Sequence, residues 1–331
     1  MPGLTAVIAA ADVGSRFFPI GKTTPKCLLP VWSRPLLSYT VADCIAAVAE
    51  RIAVVTAPGE CTRQVRHFLT PDPEMERYFT ACGWQHKYAP IATPIAAETT
   101  VIEQPRDTGH YGTALPPICA AGWIGDDDFL LVSGDDLLLR PDQGSDLADL
   151  AAARRDAGTA GAVAVAVRPS DQPLRYGVVQ HHSGTRARPL MDSVRAWNPG
   201  DRGHGTAHIN ISRTLLPAAV LPYFAAVQPA VDGELRATDA ITAFARDHDV
   251  LIQLIRGSFS TAAVPRACTP PAAPSHATPA RRADPSTPQG AASDSSPRRT
   301  AASSPAAVRA EADAREAWLY LFTFHPGTLT L

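Results

Sequence analysis

Apolar residues in this chain fall into short uncharged runs and, between the runs, into stretches where they recur every three or four positions. Leu4–Ala10 is the first run and carries no charge. A strand of that composition has both faces covered, as a central parallel strand does. Leu36, Leu37, Val41, Cys44, Ile45 and Val48 then recur at helical spacing, which predicts a helix over Pro35–Ala49. Arg51–Thr56 reads as the next strand, and strand, loop, helix, strand is the order of a right-handed parallel crossover. The same reading predicts strands at Thr99–Gln104, Phe129–Val132, Gly161–Val167 and Val250–Ile255. It predicts helices at Glu60–Leu69 and Leu147–Arg155, and one that runs from an N-cap at Thr238 to Arg246. Thr70–Ala97 reads as an irregular, partly helical insertion, and Asp126–Asp128 as a solvated turn. The expected fold is a doubly wound, mostly parallel α/β sheet that binds ligands at the C-terminal ends of its strands.

The loop after the first run changes character abruptly. Gly14 and Ser15 permit a tight turn with amides available to anions, and Arg16, Lys22 and Lys26 follow among Pro19, Pro25 and Pro30, which stiffen the loop. Three cations in one stiff loop suit a polyphosphate. The stretch from Ala11 to Pro30 resembles the signature loop of the sugar-1-phosphate nucleotidylyltransferases, G-x-G-[ST]-R-x-x-P-x-[TS]-K-x-x-P-K-x-x-[LM]-P, most closely in its bacterial UTP–glucose-1-phosphate uridylyltransferase form. The resemblance implies a Rossmann-like nucleotidyltransferase sheet. It also implies that Arg16 and Lys26 are catalytic cations at the leaving pyrophosphate, that Lys22 supports the loop, and that Ala11, Gly14 and Ser15 bind nucleotide. The loop departs from the pattern at three positions. Asp12 stands at its first glycine, Gly21 at a hydroxyl residue, and Cys27 at a position that is usually acidic. A carboxylate at position 12 repels a triphosphate, so it predicts weakened nucleotide binding.

Four later segments extend the resemblance. Gln104-Pro-Arg-Asp-Thr-Gly-His-Tyr-Gly-Thr-Ala114 is similar to the family's base-binding Q-x-x-x-x-G-x-G-x-A. Gln104 offers the donor and acceptor that a uracil edge requires, and Gly109 and Gly112 allow close approach. Ser133-Gly-Asp-Asp136 ends an apolar strand, which points its carboxylates into the ligand crevice, and Asp135 is the expected magnesium ligand. Tyr176-Gly-Val-Val179 is similar to the sugar-side Y-G-V-V, which implies that Gly177 meets a sugar hydroxyl. Val194–Pro199 lies where the family has a glutamate and a lysine for the sugar and its phosphate. Trp197 and Asn198 carry neither charge, so Asn198 remains the expected sugar contact, and weaker sugar-phosphate binding or another substrate is implied. Gly233-Glu-Leu-Arg-Ala-Thr-Asp-Ala-Ile241 is similar to G-E-x-x-x-T-D-A-I and is read as structural.

Composition narrows the class. The chain has 331 residues, 45% of them hydrophobic, and a formal net charge of -2. That length can bury a large core, and that charge provides no field for nucleic acid. No apolar run reaches the length of a membrane span and no basic leader precedes the first strand, so a cytoplasmic protein is expected. Six cysteines without a C-x-x-C pair read as reduced, structural thiols. The resemblance implies Mg2+ as cofactor and UTP and a sugar 1-phosphate as partners, and it leaves a homo-oligomer open. UDP-glucose and pyrophosphate are the implied products. A catalytically weak nucleotide-binding relative, or a transferase using dTTP or another sugar phosphate, are the alternatives.

The domain reading is 1–260 for the catalytic unit, 261–310 for a low-complexity Pro, Ala, Ser, Thr and Arg segment expected to be disordered, and 311–331 for a short apolar tail. Thr261 stands where the family has a second metal-binding aspartate. Shifting the reading frame by one base at Thr261 permits that aspartate and the glycines and proline that follow it, so the tail is expected to be a frame-shifted segment.

Overall fold

The architecture is built outward from β1 (Leu4–Ala10), whose residues alternate between the two faces of a nine-stranded sheet. The structure is a computed structural model and describes residues 3–92, 95–106, 109–169, 176–184, 189–201 and 205–261. The expected tail, including the segment read as frame-shifted, lies outside the described residues apart from Thr261.

Two two-residue strands, β2 (Pro30–Val31) and β3 (Arg34–Pro35), lead into α1 (Leu36–Ala46). The chain then runs through β4 (Arg51–Thr56), α2 (Glu60–Leu69), α3 (Pro73–Ala81), α4 (Gln85–Ala92) and β5 (Glu98–Glu103). Next come α5 (Leu115–Cys119), α6 (Ala121–Ile124), β6 (Asp128–Ser133), β7 (Asp136–Leu139), α7 (Asp146–Ala157) and β8 (Gly161–Pro169). The last part holds β9 (Val178–Ser183), β10 (Pro189–Arg195), β11 (Thr206–Leu216), α8 (Leu221–Ala225), α9 (Ala237–Asp247), β12 (Val250–Leu254) and β13 (Ser258–Thr261).

The large sheet has the order β5-β4-β1-β6-β11-β8-β12-β10-β9. β5, β4, β1 and β6 are mutually parallel, as the sequence pattern requires, whereas β11 runs antiparallel to both β6 and β8. Winding leaves β1 toward β4 and returns to β1's other side with β6. The two strands therefore flank a topological switch point, where a crevice opens at their C-terminal ends.

Period-two alternation fills two cores. Ala6, Ile8 and Ala10 of β1 join Ile52, Val54, Leu130 and Val132 on one face. Val7 joins Ala53, Val55, Phe129 and Leu131 on the other. Both sides of these strands are therefore buried, which is why they read as uninterrupted apolar runs. Tyr78–Ala92 belongs to a second compact unit. There Trp84 packs edge-on against Tyr78 and Phe79, with ring centroids 6.4 Å apart in both pairs.

Three local readings are corrected. The helix predicted to Ala49 ends at Ala46, and Val48, counted in its apolar stripe, is exposed with φ +66° as the chain turns into β4. Thr238 is not the N-cap of α9; Arg236 occupies that position, and the Ala237 amide is held instead by Thr113 Oγ1 at 2.9 Å. Of the triplet Asp126–Asp128, read as a solvated turn, only Asp126 is an exposed turn residue. Asp127 accepts from the Gly3 amide (3.0 Å) and Thr5 Oγ1 (3.1 Å), and Asp128 pairs with Arg154 at 2.5 Å, so these carboxylates tie strand starts to their neighbours. Among the described residues the cysteines are unpaired thiols, as expected. No described helix is long and apolar enough to cross a membrane.

Candidate active site

β1 and β6 deliver two loops to the switch point. The first, from Ala11, carries the cations; the second, Ser133–Asp136, carries the carboxylates. Gly134 N–H donates to Ala9 O at 2.8 Å, which docks the acidic turn against the end of β1. Lys26 lies between the loops, only 5% exposed. Its Nζ donates to Asp12 Oδ2 at 3.0 Å and, more closely, to Asp135 Oδ2. Asp135 Oδ1 in turn accepts from Ser133 Oγ. Burial opposes the Lys26 charge, but Asp135 and Asp12 outweigh it and raise the ammonium above the ordinary lysine value. Asp12 is likewise held below the ordinary aspartate value against the opposing effect of burial, by the Gly14 amide and by Lys26.

Asp12 therefore acts in two ways. Its Oδ2 takes Lys26, and its Oδ1 accepts the Gly14 N–H at 2.9 Å, an amide expected to face phosphate. Gly14, Ser15, Arg16 and Phe17 line a cavity of about 150 Å³ together with Asp12 and Lys26. The sequence-predicted Ser15 and Arg16 are thus brought together with Lys26, and Ala11 joins β1 to this loop. Lys22 is exposed. Gly21 has a steric explanation: a Cβ there would come within 2.6 Å of the Gly14 carbonyl oxygen, so no hydroxyl residue fits.

Beneath the carboxylates sits a residue that sequence reasoning missed. Arg213 is 1% exposed and donates from Nη1 to Ser133 O (3.0 Å) and from Nη2 to Asp136 O (2.8 Å), bracing the acidic turn from below. A bulge in β11 puts it there. The register with β8 slips between Asn210 and Thr214, and Ser212 adopts φ +53°. The available signal was a single charged residue, an arginine, in the stretch Ile209–Leu216. Asp136 is also buried; burial and the neighbouring Asp135 charge push it up to about 6, although Arg213 and the Thr261 hydroxyl, which donates to it, act in the opposite sense. β13 pairs antiparallel with β7 so that Thr261 lies opposite Asp136.

A second cavity of about 320 Å³ has Ser133, Gly177, Asn210, Ser212, Glu234 and Arg236 in its wall. Gly177, expected from sequence as a sugar contact, is one of the residues of this wall. Asn198 is not part of this wall, and its Oδ1 accepts the Gly200 N–H at 2.9 Å. Gln104 follows β5, and its buried Oε1 has no hydrogen-bond partner among the described residues. Gly109 is exposed. Gly112 has a packing role: a Cβ there would lie 2.2 Å from Leu235 O and 2.6 Å from Leu235 N.

Asp135 suits a magnesium ion in its donor chemistry. It is a carboxylate at the mouth of the crevice already engaged by a stand-in cation, the Lys26 ammonium. The described residues contain no group of three or more His, Cys, Asp or Glu arranged to hold a metal by themselves. A magnesium at this carboxylate would need its remaining oxygen ligands from water or from a bound phosphate.

Comparison with known proteins identifies the family and the fold. Residues 5–192 match the family model described as nucleotidyl transferase. The chain is 26% identical over 240 residues to the UTP–glucose-1-phosphate uridylyltransferase of Bacillus subtilis (strain 168), covering 71% of this chain and 78% of that protein. It is 26% identical over 250 residues to the enzyme of the same name from Pseudomonas aeruginosa, covering 75% and 87%. Two solved structures are similar in fold. Apo UDP-glucose pyrophosphorylase gives a TM-score of 0.71 at 21% identity, covering 81% of this chain and 96% of that one. The UTP-bound UGPase of Acinetobacter baumannii gives 0.70 at 20%, covering 81% and 91%.

Proposed function

Since the chain belongs to the nucleotidyl transferase family, we propose that it joins UTP and glucose 1-phosphate to give UDP-glucose and pyrophosphate. The observation that carries this reading is the meeting of Lys26 and Asp135 at the switch point, beside the cavity lined by Arg16. A phosphate oxygen of the sugar 1-phosphate attacks the α-phosphorus, a new P–O bond forms, and the bond to the leaving pyrophosphate breaks. The attacking group is already anionic at neutral pH, so the site needs alignment and charge neutralisation and no general base. Lys26 exchanges its carboxylate partners for phosphate oxygens, and Arg16 neutralises the departing pyrophosphate. Gln104 receives the base through its unpartnered Oε1. Asp135 would hold Mg2+, which when bound neutralises phosphate charge.

One observation favours a second reading. Asp12 occupies both the Lys26 ammonium and the Gly14 amide, as would suit a relative that binds nucleotide weakly and turns over slowly. Pyrophosphate release from UTP and glucose 1-phosphate, with and without magnesium, separates the two. Magnesium-dependent release at ordinary enzymatic rates supports the transferase. Binding of UTP without release supports the weak relative, and release with dTTP in preference to UTP reassigns the nucleotide.

A further inference from the structure

The 320 Å³ cavity has, among the described residues of its wall, one cation and one carboxylate, Arg236 and Glu234. The rest of the wall is hydroxyl, amide or apolar. A sugar 1-phosphate requires both kinds of charge: a cation for the dianionic phosphate and a carboxylate able to accept from sugar hydroxyls. Trp197 and Asn198, at the positions where such a pair was expected from sequence, carry no charge and are not part of this wall.

Backbone pairing fixes how Glu234 and Arg236 are presented. Glu234 forms a parallel bridge with Tyr111. Leu235 N–H donates to Tyr111 O at 2.8 Å, and Ala114 N–H donates to Leu235 O at 2.9 Å. The segment is therefore extended where it passes 111–114. Leu235 is buried in the core, and residues 234 and 236, two apart, share the side that faces the cavity. Arg236 Nε contacts Glu234 Oε2 at 3.4 Å, and its Nη2 pairs with Asp232. Nη1 makes no hydrogen bond among the described residues. The guanidinium thus orients the Glu234 carboxylate with one edge and keeps donors available on another. Lys26 and Arg16 line the smaller cavity, where the nucleotide phosphates engage them.

We infer that Glu234 and Arg236 form the acceptor subsite, with Glu234 accepting from sugar hydroxyls and Arg236 donating to the 1-phosphate. The inference rests on the proposed transferase reading and names the residues that select its second substrate. It moves both recognition charges from the β10 side of the cavity to the entry of α9.

Calorimetric titration of the full chain with glucose 1-phosphate, inorganic phosphate and UTP tests it. Both side chains are partly exposed, 29% for Glu234 and 40% for Arg236, so substitution leaves the fold intact. Arg236→Gln weakens glucose 1-phosphate and inorganic phosphate by about tenfold or more, Arg236→Lys recovers part of the loss, and UTP affinity is unchanged. Glu234→Gln weakens glucose 1-phosphate but not inorganic phosphate. Variants that lower the melting temperature while leaving glucose 1-phosphate affinity at the wild-type value would show that the pair only staples 232–236 to 111–114, and would overturn the inference. So would a wild-type chain that binds UTP but not glucose 1-phosphate. If the expected binding pattern holds but no pyrophosphate is released, the transferase reading fails and the subsite stands.

Discussion

Replacing Asp12 with glycine should tighten UTP binding, and the structure supplies the size of the effect. Asp12 Oδ2 holds Lys26 Nζ at 3.0 Å, a charge-assisted bond of the kind that contributes about 1.5–3 kcal/mol when shielded. The Asp12 side chain is 62% exposed, so water screens the pair and about 1 kcal/mol is the appropriate figure. A phosphate charge about 6 Å from the same carboxylate is repelled by a further ~1 kcal/mol at an effective dielectric of about 40. Removing both contributions gives about 2 kcal/mol, a gain of roughly 10- to 30-fold in UTP affinity. Asp12→Asn isolates the charge, because an amide oxygen can still accept the Gly14 N–H. It recovers most of the gain, and Asp12→Gly adds the Gly14 amide as a phosphate donor. Isothermal titration with UTP at low and high salt reads both variants, and the gain shrinks as salt screens the exposed charge. Affinity within about twofold of wild type for both variants, with circular dichroism unchanged, would refute the placement of phosphates at this loop.

The remaining predictions concern the acidic turn and its supports. Asp135→Ala should abolish magnesium-dependent pyrophosphate release while circular dichroism shows the fold intact, with some loss of melting temperature because buried Lys26 loses a partner; equal losses of activity from Asp135→Ala and Asp136→Asn would refute the assignment of the metal to Asp135. Asp136 is raised from the ordinary 3.8 to about 6, so the native state holds an extra proton between those values and loses stability as pH rises through that window. With each tenfold change in proton affinity equivalent to about 1.4 kcal/mol, the loss across the window is about 3 kcal/mol at most. The stability of Asp136→Asn relative to wild type should therefore grow from pH 4 to pH 7 in urea titrations, and a pH-independent difference would contradict the buried environment. Gly112→Ala places a Cβ 2.2 Å from Leu235 O at φ +129°, and should cost about 3 kcal/mol or more in chemical denaturation; a variant as stable as wild type would show that 111–114 and 233–237 are not in contact.

The sequence by itself determined the parallel half of the sheet and the location of the site. Uncharged runs such as Leu4–Ala10 and Phe129–Val132 can be satisfied only where both faces are covered, and strand order then places a crevice at their C-terminal ends. Local chemistry also marked Gly14, Arg16, Lys26 and Asp135, because cations in a proline-stiffened loop and carboxylates after an apolar strand are visible without knowing what they touch. Partners far apart in the chain were not legible. That Lys26 sits between Asp12 and Asp135 depends on β1 and β6 being neighbours. That Arg213 braces the Ser133–Asp136 turn depends on a bulge whose register no linear pattern encodes. Glu234 and Arg236 read as part of a structural motif, and only their pairing with Tyr111–Ala114 places them in a cavity wall. The folded chain decides such roles because an ion pair or a buried donor is a property of two groups and the space between them, and that space is set by the sheet.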